Sequence, residues 1–349
     1  MVSYNYQEWP EFDNHEQVVA FEDPSVGLRG FIVIHATHPS FPSLGATRLW
    51  SYENETEALL DALRLSRLMS YKSALAGLPY GGAKAVLMHD TRLVLHREAL
   101  FQAYARQIEL LEGRFVTGTD VGVEEADLWH MKQGTSFVIG NGVNAGYFTA
   151  LGVWRSIQVV IQKLFGSDNL RERRFAIQGL GKTGMALLKL IEAAAGGAQV
   201  VATDLNPGIL AEVRWRFPNV KLVDSQEIYD QPVDIFCPCA LGGVLNEATV
   251  PRLKCRAIVG SANNQLSGAL IGEVLARAGI LYAPDYLVNA GGLISVVDQY
   301  ENKQQNSERV MEKLWRITEM LKQILNESRT TGETPESIAD RLARQVIAR

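Results

Sequence analysis

Several common features are missing from this sequence, and each absence excludes a class of protein. It has three cysteines in 349 residues, too few for a disulfide framework. No apolar run approaches the roughly eighteen residues of a membrane span, and no arginine-rich or lysine-rich run indicates a nucleic-acid surface. The opening residues MVSYNYQEWP lack the charged start and apolar core of a signal peptide. We therefore expect a cytoplasmic protein without membrane or nucleic-acid partners.

The cysteines also lack the spacing of a metal site. Cys237 and Cys239 form C-P-C inside an apolar run, whereas zinc and redox sites use C-x-x-C. We interpret both as buried thiols and predict no metal site.

Length and composition indicate two globular domains. A chain of 349 residues is too long for one ordinary core. Hydrophobic residues make up 47% and charged residues 21%, and the net charge is only −5, as in an ordinary globular protein.

The first 140 residues mix strands and helices. HEQVVAF and RGFIVIH are rich in β-branched residues and predict neighbouring strands. Asn54 followed by Glu57 is a capping-box pattern that begins a helix. We interpret Gly81-Gly82 as a turn. Further predicted elements are a strand at KAVLMH, a helix over residues 94–112, a strand at RFVTGTD and a short helix at EEADLWHMKQ.

From about residue 150, short buried strands alternate with helices. This rhythm is typical of a parallel sheet with helices on both faces. Two helices are predicted in the last forty or so residues, at NSERVMEKLWRITEMLKQILN and PESIADRLARQVIAR. We predict an α/β fold with a substrate-binding and oligomerisation domain over residues 1–140, completed by a C-terminal helix at about 325–349. A Rossmann-type dinucleotide-binding domain would span residues 141–324.

One glycine motif predicts a dinucleotide site. The segment GLGKTG, from Gly179 to Gly184, follows the strand RRFAIQ and opens the helix MALLKLIEAAA. Such glycines permit a tight turn, close approach of a pyrophosphate and helix-strand packing, and the helix N-terminus attracts the phosphates. Asp204 ends the next strand, 25 residues after Gly179. Its carboxylate would bind both ribose hydroxyls and repel a 2′-phosphate, which favours NAD over NADP.

Two lysines stand in a stretch that is otherwise apolar or small, YKSALAGLPYGGAKAV. Burial disfavours the charged form of a lysine, so Lys72 and Lys84 need a partner or a function. One could bind an anion while the other, with a lowered pKa, acts as a base. Alternatively, both could extend to the surface from element ends. Asp120, after RFVTGT, could move protons or simply cap the following helix.

Taken together, these motifs resemble a known family. YKSALAGLPYGGAKAV, RFVTGTDVG, GLGKTG, DIFCPCALGGVLN, GSANNQL and APDYLVNAGGLISV occur in this order. The chain resembles the amino acid dehydrogenases of the glutamate, leucine, phenylalanine and valine type over almost its whole length. Its short length is similar to the leucine and phenylalanine branch.

The resemblance implies NAD-dependent, reversible oxidative deamination of an L-amino acid to a 2-oxo acid and ammonia. Lys72 would bind the substrate carboxylate. Lys84 would activate water and polarise the carbonyl, and Asp120 would transfer protons and hold the amino group. Family members bind substrate in a cleft between two domains and form homo-oligomers, so we expect a homo-oligomer in which an edge strand such as HEQVVAF pairs across the interface.

The resemblance also implies further contacts. Asn263 would be a second carboxylate contact, Asn289 would line the cleft near the nicotinamide, and Thr149 would contact the nicotinamide amide. The full set of predicted cofactor contacts is Thr149, Gly179, Leu180, Gly181, Lys182, Thr183, Gly184, Asp204, Leu205, Cys239, Ala240, Asn263 and Asn289.

Side-chain selectivity, by the same resemblance, comes from a few small or apolar residues: Leu44, Gly45, Gly118, Leu293 and Val296. None of these residues is charged, so none could pair with the carboxylate of a glutamate side chain. Leucine enzymes usually carry alanine at the position of Gly118, and glycine makes room there. We therefore expect a large apolar or aromatic substrate, phenylalanine first, then leucine or a related branched residue such as valine, then tryptophan.

Three departures from the family pattern motivate another hypothesis. Ala83 replaces a third glycine, Phe148 replaces a proline, and the segment at residues 138–148 looks shorter than its counterparts. A dinucleotide-binding homologue without turnover is therefore the alternative from another class. An enzyme specialised for an unusual amino acid is a third.

Overall fold

The computed structural model describes residues 5–89, 97–140, 142–167, 169–194, 197–268 and 270–348. The chain divides into two compact units. The first comprises Met1–Val143, Gln299–Gln305 and Ala343–Arg349, and the second comprises Asn144–Asp298 and Asn306–Leu342. The predicted α/β architecture is confirmed. Residues 94–96 of one predicted helix, and Ala195 at the end of another, lie outside the described residues.

The first unit is built on a mixed sheet. Its strands are β1 (Gln17–Asp23), β2 (Leu28–Ala36), β3 (Ser43–Leu44), β4 (Thr47–Trp50), β5 (Gly81–Met88) and β6 (Phe115–Val116), and its helices are α1 (Glu55–Leu75), α2 (Arg97–Glu109) and α3 (Glu125–Lys132). The strand order is β1-β2-β5-β3-β6, and β4 also pairs with β5. Strand β2 pairs antiparallel with both β1 and β5, whereas β3 and β4 lie parallel to β5.

Alternation along the strands gives this sheet two apolar faces. On one face, Ile32 and Ala85 join a cluster with Phe101 of α2. On the other face, Val33 and Val86 pack with residues of α1. Helix α1 begins as predicted, because the side chain of Asn54 accepts a hydrogen bond from the Glu57 backbone N–H (3.0 Å).

The elements from residue 145 onward alternate as the sequence predicts. They are α4 (Ala145–Phe165), β7 (Arg174–Gln178), α5 (Lys182–Ala194), β8 (Gln199–Thr203), α6 (Pro207–Arg216), β9 (Lys221–Leu222), β10 (Ile235–Pro238), β11 (Ala257–Ile258), α7 (Ile271–Arg277), β12 (Leu281–Tyr282), α8 (Asp285–Val288), α9 (Gly291–Asn302), α10 (Ser307–Lys313), α11 (Trp315–Thr331) and α12 (Pro335–Ile347). The sheet is parallel, with the order β12-β11-β10-β7-β8-β9. Read from β9, this is the 3-2-1-4-5-6 order of doubly wound dinucleotide-binding domains.

The C-terminal helices differ from the prediction in number and in domain. The segment predicted as one helix forms α10 and α11. Residues 306–342 belong to the second unit, and only 343–349 belong to the first. The physical reason is the apolar face of α11, where Ile317, Leu321 and Ile324 are fully buried and the helix packs on α4 and α8. Of the helices that the structure describes, none is long and apolar enough to cross a bilayer.

Candidate active site

Strand β5 positions Lys84 inside the first unit. Lys84 pairs with Val33 of β2 and shares the sheet face covered by α1, and its residue is only 4% exposed. The neighbouring Ala83 points to the opposite face, where its methyl group joins the core that includes α2. Ala83, one of the three departures from the family pattern, therefore does not crowd Lys84, because the strand carries its methyl group away from that side chain.

The glycine pair before Lys84 is not the predicted turn; it forms the start of β5. A Cβ on Gly81 would lie 2.0 Å from the Ala36 carbonyl oxygen, and one on Gly82 would lie 2.0 Å from the Ser70 backbone nitrogen. Both glycines are thus required by close backbone approach: Gly81 lies against the end of β2, and Gly82 lets α1 pack against the strand that carries Lys84.

A chain of charged groups extends from Lys84. The Lys84 Nζ donates to Asp120 Oδ2 (2.6 Å), and the Arg48 Nε donates to the same oxygen (2.9 Å). The Arg48 Nη1 then donates to Asp61 Oδ2 (2.9 Å), which also accepts from the Tyr52 hydroxyl (2.6 Å). These residues come from β5, β4, α1 and the segments after β4 and β6, so the fold assembles them from distant positions.

Burial and charge shift the protonation of this chain. Burial is the largest influence on Lys84 and lowers its pKa, against the opposing attraction of Asp120. Burial by itself would raise the pKa of Asp120, but the charges of Lys84 and Arg48 outweigh it and hold that pKa below its usual range. Asp120 is therefore an ionised carboxylate, and Lys84 releases its proton more readily than an exposed lysine.

Lys72 is the second buried lysine of this unit and lies in the last turn of α1. A cation there is favoured by the negative end of the helix dipole. The alternative in which Lys72 and Lys84 reach the surface is contradicted by their burial.

The predicted selectivity residues of the first unit lie on adjacent strands. Leu44 is buried at the end of β3, and Gly118 is buried two residues after β6. A Cβ on Gly45 would lie 2.2 Å from the Ala83 carbonyl oxygen, so backbone packing alone requires this glycine. The three atoms nearest to a Cβ on Gly118 would be the Ile139 carbonyl oxygen at 3.3 Å and, at 3.9 Å, an Ile139 side-chain carbon and the Gly45 carbonyl oxygen.

The segment after α3 is tied to its own unit by backbone hydrogen bonds. The Ile139 N–H donates to the Thr117 carbonyl (2.8 Å), and the Gly140 N–H donates to Gln299 Oε1 (3.3 Å). Asn141, inside the altered segment 138–148, lies outside the described residues. Phe148 lies in α4 and is buried.

In the second unit, the glycine motif joins β7 to α5 as predicted. Gly179 has φ of 92°, a left-handed conformation that favours glycine. A Cβ on Gly184 would lie 1.9 Å from the Gly179 carbonyl oxygen, whereas one on Gly181 would meet nothing within 4 Å. Lys182 and Thr183 form the first turn of α5. Gly184 thus serves helix-strand packing, and Gly181 faces open space, as close approach of a pyrophosphate requires.

Asp204 follows β8 beside the motif. Its two carboxylate oxygens accept from the Leu180 N–H (2.6 Å) and the Asn206 N–H (2.8 Å). Leu205 is 84% exposed. Cys239 and Ala240 follow β10, and Ala240 lies against Gly179, since a Cβ there would approach the Ala240 Cβ to 2.7 Å. These positions meet at the carboxyl ends of β7, β8 and β10, where doubly wound sheets bind ligands.

Two asparagines meet in the same unit. The Asn289 Nδ2 donates to Asn263 Oδ1 (2.9 Å) and to the Ser261 carbonyl (3.2 Å). The Asn289 Oδ1 is buried and has no hydrogen-bond partner among the described residues. Thr149 donates to the Ala145 carbonyl of its own helix (2.8 Å). Leu293 and Val296 are half-buried three residues apart on α9.

Neither a metal site nor a reactive cysteine is indicated. No group of metal-ligating side chains occurs within the described ranges. Burial raises the pKa of Cys237 and of Cys239, which keeps both thiols protonated. Cys237 is the buried thiol that the sequence predicts, whereas Cys239 is only half-buried.

Comparisons with known proteins identify the family of this chain. A family model described as "Glu/Leu/Phe/Val dehydrogenase, dimerisation domain" matches residues 15–137, and one described as "Glutamate/Leucine/Phenylalanine/Valine dehydrogenase" matches residues 211–348. A phenylalanine dehydrogenase of Lysinibacillus sphaericus is 42% identical over 96% of this chain and 89% of the relative. The chain belongs to the Glu/Leu/Phe/Val dehydrogenase family.

Other members of the Glu/Leu/Phe/Val dehydrogenase family are similar to nearly the same degree. A leucine dehydrogenase of Geobacillus stearothermophilus is 39% identical over 96% of this chain and 91% of the relative. The crystal structure of L-tryptophan dehydrogenase from Nostoc punctiforme is 38% identical, covers 96% of both chains and has a TM-score of 0.80. The predicted family and enzyme class, an amino acid dehydrogenase and hence an oxidoreductase, are confirmed.

Sequence reasoning for this dehydrogenase missed Arg48, Asp61 and Tyr52. Their positions relative to Asp120 depend on the sheet order, and nothing in the local sequence indicates it. One signal was present: Arg48 lies in a strand whose other positions are apolar or small, as Lys84 does. A charged residue in such a strand requires a counter-charge when it is buried.

Proposed function

We propose that this protein catalyses the reversible, NAD-dependent oxidative deamination of a large apolar or aromatic L-amino acid, giving the 2-oxo acid and ammonia. The observation that carries the proposal is the buried contact between Lys84 and Asp120 (2.6 Å). A buried lysine with a lowered pKa, beside an ionised carboxylate, has the groups needed for proton transfer at an amino-bearing carbon.

NAD fits the second unit on three observations. Gly181 faces open space at the start of α5, whose free N–H groups attract phosphate. Asp204 keeps lone pairs beyond its two backbone contacts for ribose hydroxyls and repels a 2′-phosphate. The unpartnered Asn289 Oδ1 can accept a hydrogen bond near the nicotinamide. When bound, NAD supplies the hydride acceptor.

The residues of the first unit would then handle protons and charge. Lys72 holds the substrate carboxylate by opposite charge. Neutral Lys84 takes a proton from the water that adds to the substrate carbon, and its protonated form polarises the carbonyl in the reverse direction. Asp120, kept ionised by its two cations, accepts and returns protons at the leaving amino group.

The predicted selectivity residues support an apolar substrate with phenylalanine first. Leu44 is apolar, Leu293 and Val296 present partly exposed apolar surface, and Gly118 lacks the methyl group of the alanine that leucine enzymes usually carry. None of these residues is charged, which disfavours glutamate. Leucine and valine are the branched alternatives.

Tryptophan is a second candidate. The solved L-tryptophan dehydrogenase matches this chain over 96% of both lengths. The lack of a side chain at Gly118 is compatible with either aromatic substrate, and hydrophobic pockets separate substrates that differ by one methylene by only ~1–3 kcal/mol.

The first experiment measures NADH oxidation with ammonium and a panel of 2-oxo acids: phenylpyruvate, indolepyruvate, 4-methyl-2-oxopentanoate, 3-methyl-2-oxobutanoate and 2-oxoglutarate. We expect turnover with the aromatic or branched acids and at least a ~100-fold loss in Lys84→Ala, the usual contribution of a positioned general base. Lys322→Ala is the matched control, because Lys322 is an exposed lysine paired with Glu319 on α11.

Each result of the panel has a meaning. The acid with the highest kcat/KM identifies the preferred substrate side chain. Preference for 2-oxoglutarate would contradict the proposed apolar substrate. NADH binding by calorimetry without turnover on any acid would favour the non-catalytic homologue over our proposal.

A further inference from the structure

We propose that Arg48 is a positioning residue that controls the proton on Lys84 by sharing the carboxylate of Asp120 with it. The inference rests on the proposed function, in which Lys84 acts as a base. Arg48 itself would not touch the substrate; it would act through Asp120.

The geometry makes Arg48 a bridge between two carboxylates. Arg48 and Lys84 donate to the same oxygen, Asp120 Oδ2, at 2.9 and 2.6 Å. The other arm of the guanidinium contacts Asp61 at 2.9 Å. Its planar fork can hold both carboxylates at once in fixed directions, which an ammonium group cannot do.

This arrangement alternates in charge and is neutral in total. Lys84 and Arg48 are the cations, and Asp120 and Asp61 are the anions. Because Arg48 donates to Asp120 as well as to Asp61, the Asp120 carboxylate keeps one contacting cation when Lys84 is neutral. Loss of the proton from Lys84 therefore costs less than it would if Asp120 were left with no cation in contact.

Other titratable groups near Lys84 come from the elements packed against β5. On β2, His35 lies on the same sheet face and its Nδ1 contacts the Ser70 hydroxyl (2.8 Å). On α1, Asp61 completes the charge chain, and Lys72 is the second buried cation. After β4, Tyr52 stays neutral because burial and Asp61 raise its pKa. Asp120 contacts Lys84 directly, and Arg48 contacts the same carboxylate oxygen.

Two substitutions should move the proton affinity of Lys84 in opposite directions. Arg48→Met removes a repelling cation and gives Asp120 to Lys84 alone, so Lys84 should hold its proton to higher pH. Asp61→Asn removes an attracting anion and leaves Arg48 with Asp120 as its remaining carboxylate partner of the pair, so Lys84 should lose its proton at lower pH. A general loss of packing would not produce opposite signs.

The pH dependence of kcat/KM for oxidative deamination reports this proton in the free enzyme. We expect the acidic limb to move up by roughly half to one pH unit in Arg48→Met and down by a similar amount in Asp61→Asn, the size of one charge at short range in a partly buried site. Arg48→Lys should move the acidic limb less than Arg48→Met does, because it keeps a positive charge at this position. Arg64→Met is the matched control, because Arg64 pairs with Glu11 away from this chain of charges.

A second readout does not need turnover. Competitive labelling with trace acetic anhydride, followed by mass spectrometry of the Lys84 peptide, gives the reactivity of this amine against pH. The same opposite shifts are expected there, even if the protein proves inactive on every 2-oxo acid. Shifts of equal sign, or none, in both folded variants would overturn the role of Arg48 and leave the proposed reaction untouched.

Discussion

At the residue scale, Gly118 is the position where one methyl group should change the substrate. Its hypothetical Cβ meets the Ile139 carbonyl at 3.3 Å and is otherwise in ordinary contact, so alanine can be accommodated with a small adjustment. The same is not true of Gly45, which the backbone of Ala83 requires. A substitution at Gly118 can therefore change substrate selectivity without disrupting the fold.

We expect Gly118→Ala to lower kcat/KM for phenylpyruvate relative to 4-methyl-2-oxopentanoate by about 10-fold or more, because one added methyl group removes pocket space. The two kcat/KM values, measured in parallel, check this. Gly268→Ala is the control, since a Cβ there meets nothing within 4 Å. An unchanged ratio would remove Gly118 from the pocket.

His15 is a buried residue that should couple stability to pH. Its Nε2 contacts the Leu63 carbonyl (2.9 Å), its Nδ1 accepts from the Asp13 N–H (3.1 Å), and the ring stacks edge-on against His35 at 4.7 Å. Burial, followed by the charge of His35, lowers the pKa of His15 from 6.5 to about 4. The folded state thus holds His15 neutral at pH values where the unfolded chain protonates it.

Because this pKa is lowered by folding, its contribution to the free energy of unfolding is present above about pH 6.5 and is lost as pH falls toward 4. We expect a loss of about 2 kcal/mol between about pH 7 and about pH 5. Urea unfolding at both pH values measures this loss. In His15→Gln, the difference in the free energy of unfolding between the two pH values should be smaller by the same amount. An equal pH dependence in this variant would refute the assignment.

At the element scale, periodicity predicted most helices and strands but missed two short strands of the first unit. β3 has only two residues and β4 four, and neither was predicted. The glycine pair of β5 has the composition of a turn, yet tertiary contacts with Ala36 and Ser70 make it strand. Glycine permits many conformations, so its local sequence carries little information about which one the fold selects.

The glycine motif before α5 gives a prediction with its own internal control. Gly181→Ala should leave the fold intact but weaken NADH binding, because its Cβ would occupy the space open to a pyrophosphate. Gly184→Ala should lower the free energy of unfolding by ~1–3 kcal/mol, because its Cβ would overlap the Gly179 carbonyl.

Calorimetry with NADH and thermal unfolding, applied to both variants, separate the two effects. Equal NADH affinity in Gly181→Ala and the parent protein would argue against the motif as the cofactor site.

At the scale of the whole molecule, we expect a homo-oligomer. β1 lies at an edge of the first sheet. The Glu16 N–H donates inward to the His35 carbonyl, so alternation directs the Val19 N–H away from β2. Val19→Pro removes that outward donor while keeping the inner ladder, and should reduce the mass measured by light scattering. A parent protein that is monomeric would reject the idea.

Local sequence determined the features that depend on neighbouring residues. The repeat of apolar positions predicted the α/β class, the glycines around α5 predicted the phosphate-binding turn, and the ordered motifs indicated the family. The cap at Asn54 formed for the same reason, since its partner lies only three residues away.

Only the tertiary structure decided which charges meet. Arg48 and Asp120 are 72 residues apart in sequence, and Asn263 and Asn289 are 26 apart. The place of α11 in the second unit likewise depends on the helices that cover its apolar face. Residues distant in sequence come together through strand order and helix packing, which are set by burial over the whole domain and leave no pattern in any short segment.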